Sequence, residues 1–220
     1  MGIIVAVKPN FAVWPALLFL SGRFQPALIS AGTALIISAI PAIVIGPEVY
    51  RQWFEMLAAD NGRAFFLTNA SISGLAARAD ISMIGAAASL FLLGGAALWA
   101  LFRRPSLPVT STMALLLSVL ASPIGWVNYT LFLLPVFCWK WSSPIIRIVM
   151  AFLVIPTPFV LRELSNPGFR TLTRGSLYNW ALLLLLVALV AEELRNSGFF
   201  SRTNPLPAGN PARSSTPSAT

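Results

Sequence analysis

Three short clusters hold the residue types that do chemistry at a membrane surface. Lys8-Pro9 sits inside the first apolar stretch of the chain. A lysine at membrane depth is expensive unless it snorkels or pairs, which makes it a functional candidate by default. Pro9 breaks the helix beside it and frees a backbone carbonyl. The plainer alternative is a lysine snorkelling to the headgroups from near the start of the chain. The second cluster, Asn69-Ala70-Ser71-Ile72-Ser73-Gly74 with Arg78, combines amide, hydroxyl and guanidinium groups. Such a set suits a phosphate or a sugar hydroxyl. Its plainer alternative is a capped helix start with an interfacial arginine. The third cluster, Ser122-Pro123-Ile124-Gly125-Trp126-Val127-Asn128-Tyr129, brings Trp, Asn and Tyr together. It reads either as the lining of a lipid-facing cavity or as a helix-hairpin turn with aromatic belt residues.

The elements that position these clusters follow from how the charges are spread. Of 220 residues, 57% are hydrophobic and 10% charged, against roughly 25% charged in a soluble domain. No charge falls between Arg23 and Glu48, between Asp80 and Arg103, from Pro105 to Trp139, or from Gly175 to Ala191. Uncharged apolar runs of about 17 or more residues match the hydrocarbon thickness a helix must cross. The runs are continuous and lack the period-2 alternation of an outer-membrane barrel. The expected fold is all-α: a polytopic membrane protein of about seven short, kinked transmembrane helices. The segments are roughly 3–20 (interrupted at Lys8-Pro9), 26–45, 81–102, two helices within 105–139, 143–161 and 177–191. The 35-residue run from Pro105 to Trp139 would measure about 52 Å as one helix, too long for a single span. Its Ser-Pro-Ile-Gly-Trp centre is therefore a tight turn. Residues 1–195 form the helical domain, and 196–220, rich in Ser, Pro, Asn, Gly and Thr, is a disordered tail.

Alternation of spans puts Arg23, Arg103-Arg104, Lys140 and the tail on one side. Those short loops are basic and almost free of acids, which places that side, and the C-terminus, in the cytoplasm. The three clusters converge on the opposite, outer face. So does the loop from Pro47 to Asp80, where Tyr50, Trp53, Phe54 and Leu57 recur at helical spacing before Asn61-Gly62. That spacing predicts an amphipathic helix lying on the surface. The formal charge of +8 is read as a topology signal, not as nucleic-acid binding. There is no histidine and one cysteine, Cys138, so no metal site, cofactor or intrachain disulfide is expected.

In this order, the clusters resemble glycosyltransferase family 87. The carrying residues are Val7-Lys8-Pro9-Asn10 with Pro15-Ala16-Leu17-Leu18, then Asn69 to Leu75 with Arg78, then Ala121 to Tyr129. The resemblance implies a partial GT-C-type fold and an inverting transfer of a hexose, mannose above all. The implied donor is a polyprenyl-phosphate sugar, and the acceptor a lipid or glycan at the outer face of a bacterial plasma membrane. It also implies Lys8 and Arg78 on the donor-phosphate side, with Asn69, Ser71, Trp126, Asn128 and Tyr129 lining the sugar or acceptor pocket. Two departures stand out. The family's catalytic aspartate lies in an external loop in a portion that this chain lacks, so the chain is expected to be an N-terminally truncated member. Asn128 stands where many members carry a histidine. The catalytic base is thus unassigned, with Glu48, Glu55, Asp60, Asp80 and Glu163 as the acids on that face. A carrier of lipid headgroups and a non-catalytic membrane scaffold are the competing readings.

Overall fold

The apolar runs are helical, and most end at a proline or glycine, although Pro41 lies inside a helix that continues past it. The computed structural model describes residues 1–59, 65–165 and 168–196. Helix α1 (Gly2–Val7) stops at Lys8, whose φ of −136° and ψ of 85° are the extended geometry that a following proline imposes. A 3₁₀ turn (Pro9–Ala12) leads into α2 (Val13–Leu20). Then come α3 (Phe24–Val44), α4 (Glu48–Ala59), α5 (Ile72–Arg78) and α6 (Ser82–Arg103). Arg104 closes α6 in the left-handed conformation at φ 45°, and Pro105 prevents its continuation.

The uncharged run after Pro105 divides as its length demands. Helix α7 (Leu107–Leu120) ends at a turn, and a 3₁₀ segment (Val127–Leu133) continues into α8 (Leu134–Trp139). Helix α9 (Pro144–Leu153) is separated by Pro156 from α10 (Thr157–Leu161). A 3₁₀ turn (Arg162–Ser165), α11 (Phe169–Thr173) and α12 (Leu177–Asn196) complete the described chain.

The all-α polytopic expectation is met, and the seven apolar segments are present. Three of them, α3, α6 and α12, are long and apolar enough to cross a membrane alone. The other four, Pro9–Leu20, Leu107–Leu120, Val127–Trp139 and Pro144–Leu153, are shorter. At about 1.5 Å of rise per residue, each covers only part of the hydrocarbon thickness. The predicted surface helix is α4. Its apolar Tyr50 donates a hydrogen bond to the Ser38 carbonyl of α3, and Trp53 and Phe54 pack edge to face. Asp60, the Asn61-Gly62 stop and the tail beyond Asn196 lie outside the described residues.

Helix α7 is the centre of the bundle: Thr110 and every residue from Thr112 to Leu120 are buried. Around it the core gathers Phe11, Leu17, Leu133, Val149, Leu182 and Leu185. The outer helices are apolar on their exposed faces as well, with Ile36, Ile43, Met83 and Phe91 between 69% and 84% exposed. A surface so extensively apolar needs lipid against it.

Candidate functional site

The break at Lys8-Pro9 aims the lysine along the bundle's end. Its ammonium donates to the hydroxyl of Tyr129 at 2.9 Å and lies 4.9 Å from the centre of that ring. Three residues hold this geometry from the α1–α2 side. The amide of Asn10 donates to the Ser118 carbonyl at 2.8 Å. The Phe11 ring packs edge-on against Tyr129 and Phe132. The Trp14 indole donates to Ser111 Oγ at 3.0 Å. No carboxylate among the described residues pairs with Lys8.

A second knot lies alongside, where 68–70 runs antiparallel to 125–127. Ala70 N–H donates to the Gly125 carbonyl at 2.7 Å, and Val127 N–H to the Thr68 carbonyl at 2.9 Å. Asn69, fully buried, ties the two strands by its side chain. Its Oδ1 accepts from Gly125 N–H at 2.9 Å and Ser71 N–H at 3.2 Å, while Nδ2 donates to the Pro123 carbonyl at 3.3 Å. Only glycine fits at 125, because a Cβ there would collide with the Val119 carbonyl. Ser71 caps α5 by accepting from Gly74 N–H at 3.0 Å.

Arg78, at the end of α5, is 5% exposed. Its Nε donates to Ser176 Oγ at 2.8 Å. Nη1 donates to the carbonyls of Phe66 and Asn69 at 2.8 and 3.3 Å. Nη2 donates to the Asn69 carbonyl at 3.2 Å and Asn179 Oδ1 at 2.6 Å. All five N–H groups of the guanidinium are thereby placed on neutral acceptors. Asn179 completes the ring by donating to the Ser71 carbonyl at 2.6 Å. Burial lowers the pKa of Arg78 to about 10, so the group is charged at neutral pH.

The candidate residues therefore fall into two groups joined by the segment 126–129. Lys8 and Tyr129 touch directly. Asn69, Ser71 and Arg78 form the other group, and the backbone of Trp126 is bridged to Asn69. Asn128 is exposed, and its side chain makes no hydrogen bond among the described residues. Both alternatives offered for the second cluster bear on the outcome. Ser71 is a helix cap, and Arg78 spends its donors on the protein.

Sequence reasoning missed Ser176, Asn179 and Ser118, and gave Asn10 no role beyond its place in the Lys-Pro motif. Asn179 had a signal, as the one amide at the head of a leucine-rich span, where polar side chains cross-link helices. Among the acids, Glu48 and Glu55 flank Arg51 on exposed α4. Asp80 is exposed at φ 58°. Glu163 has one carboxylate oxygen enclosed without a partner among the described residues. No metal-binding group of three His, Cys, Asp or Glu occurs among the described residues.

No curated protein and no solved structure shows a significant match to the chain. The family model of glycosyltransferase family 87 matches residues 1–123, which takes in the Lys8 break, the Asn69–Arg78 knot and the start of the hairpin turn. With more than half of its length inside that match, this helical membrane protein belongs to glycosyltransferase family 87.

Proposed function

We propose that the chain serves hexosyl transfer, mannose being the sugar, from a polyprenyl-phosphate donor to a lipid or glycan acceptor at one membrane face. The observation that carries this reading is the Lys8 ammonium, set against the hydroxyl of Tyr129 with no carboxylate among the described residues to offset its charge. A cation so placed at a membrane boundary suits a phosphate. In the reaction, the acceptor hydroxyl oxygen forms a bond to the anomeric carbon while the bond to the phosphate oxygen breaks. A carboxylate on that face takes the hydroxyl proton, and the electron pair leaves with the polyprenyl phosphate. Lys8 would stabilise the charge developing there. Arg78 would add positive potential from within the knot and hold its shape. Asn69 and Ser71 would brace the turn from which Trp126, Asn128 and Tyr129 line the sugar or acceptor pocket. The helical arrangement would be part of a GT-C-type enzyme in a bacterial plasma membrane, with the C-terminus in the cytoplasm.

The test is binding of a polyprenyl-phosphate mannose to the purified protein, followed by a transfer assay in membranes. Lys8→Gln should weaken donor binding about tenfold, the loss of one charge-assisted contact. Undiminished binding by that variant would overturn the reading. Donor binding and release without transfer would instead favour a headgroup carrier.

A further inference from the structure

The opposite end of the bundle holds a site that the proposed transfer does not use. Lys140, at the end of α8, reaches Glu192 of α12 with Nζ 2.5 Å from the carboxylate, and its ammonium also lies 4.6 Å from the Trp139 ring centre. Beside this pair is a cavity of about 160 Å³ lined by Ser106, Thr112, Glu193 and Asn196. Lys140 and Glu192 cancel in charge. Glu193 has no ion pair among the described residues, so the cavity keeps one uncompensated negative charge.

A second cavity, of about 230 Å³ and almost wholly apolar, shares lining residues with the first. It runs between α6 and α12 over a floor of α7, and Met113 and Glu193 line both spaces. Its wall on α12 extends from Leu186 to Leu194, eight steps or about 12 Å of helix. That approaches the depth of one leaflet, half of a hydrocarbon core about 30 Å thick. Gly95 leaves the cleft open, since a Cβ there would meet nothing within 4 Å.

We propose that these two neighbouring cavities together bind one phospholipid with a primary-amine headgroup, of the phosphatidylethanolamine kind, from the leaflet opposite the Lys8 face. The apolar cleft takes an acyl chain, and the Glu193 carboxylate takes the ammonium. Arg103 and Arg104, exposed three and two residues before the cavity-lining Ser106, are the cations offered to the phosphate. The charge pattern selects the amine: a headgroup of net negative charge would meet Glu193, and a quaternary ammonium could donate no hydrogen bond to it.

The experiment uses the whole chain in detergent micelles, titrated with phosphatidylethanolamine, phosphatidylcholine or phosphatidylglycerol of identical acyl chains. Bound lipid is counted by native mass spectrometry. Phosphatidylethanolamine should be retained about three- to fivefold over the other two, the range of one exposed ion pair. Glu193→Gln should erase that preference and leave residual chain binding. Gly95→Leu, which fills the cleft without a backbone clash, should abolish retention of all three, with helix content by circular dichroism confirming that it folds. Equal retention of the three lipids, a preference for phosphatidylglycerol, or undiminished binding by Gly95→Leu overturns the proposal. A dimer that Gly95→Leu disrupts, with lipid binding unchanged, identifies the cleft as a contact between copies instead.

Discussion

The ammonium of Lys8 donates to the hydroxyl of Tyr129 across 121 positions of sequence. The contact joins the break in the first apolar segment to the hairpin turn of the central run. It exists because Pro9 stops α1 where it does, and because Asn10 fastens the break to the end of α7 through the Ser118 carbonyl. Replacing Tyr129 by Phe removes the oxygen acceptor and keeps the ring. Donor-lipid binding should then change less than twofold, because the lysine charge remains, while Lys8→Gln should cost about tenfold. The two titrations, run side by side, separate charge from positioning.

Arg78 should be a stability residue of unusual weight. Arg78→Gln strips donors from the Phe66 and Asn69 carbonyls and from Asn179 Oδ1. Buried acceptors left unpaired should lower stability by roughly 2–4 kcal/mol, read as a fall in melting temperature of the detergent-solubilised protein. Arg78→Lys should recover only part of this, since an ammonium cannot reproduce the planar fork.

Asn179→Ala removes a partner of the same knot. Combined with Arg78→Gln it should cost clearly less than the sum of the two single changes, because both delete the 2.6 Å contact between them. A double-mutant cycle on melting temperature checks this, and strict additivity would count against a shared network.

Two glycines should respond in opposite directions. Gly125→Ala forces a methyl into the Val119 carbonyl and should destabilise the turn. Gly94→Ala, mid-helix in α6 with open space at its Cβ position, should be neutral or stabilising by up to about 1 kcal/mol. Thermal unfolding of the pair distinguishes a packing requirement from a helix-propensity effect.

Sidedness is testable by labelling after Cys138 is replaced by Ser. Asn128→Cys, on the exposed end of the site, should react with an impermeant maleimide from the outside of intact cells. Arg104→Cys should react only after the membrane is opened. The reverse pattern overturns the assignment of the Lys8 face to the exterior.

Much of the fold was legible from sequence because lipid imposes a one-dimensional rule. A span must be apolar for about 20 residues, so uncharged runs and their Pro and Gly interruptions mark the helices directly. The break at Lys8-Pro9 and the division of the run from Pro105 to Trp139 follow from this rule, as does the amphipathic α4. Where the sixth segment divides also follows, since Pro156 stands between α9 and α10.

Which polar side chains meet was not legible. Arg78 stands seven residues after Ser71 and looks from sequence like a free interfacial cation. Only the docking of α12 brings Ser176 and Asn179 against it, and only the return of the 123–127 turn brings Asn69 into its bracing role. Those contacts span from about fifty to more than a hundred positions and leave no periodic trace. By itself the sequence determined the membrane class, the segments and the clusters that carry the family, since hydrocarbon solvation acts on each segment separately. The tertiary structure decided that Arg78 binds protein while Lys8 meets a tyrosine hydroxyl and no carboxylate among the described residues, because a hydrogen-bond partner is a matter of which segments pack together.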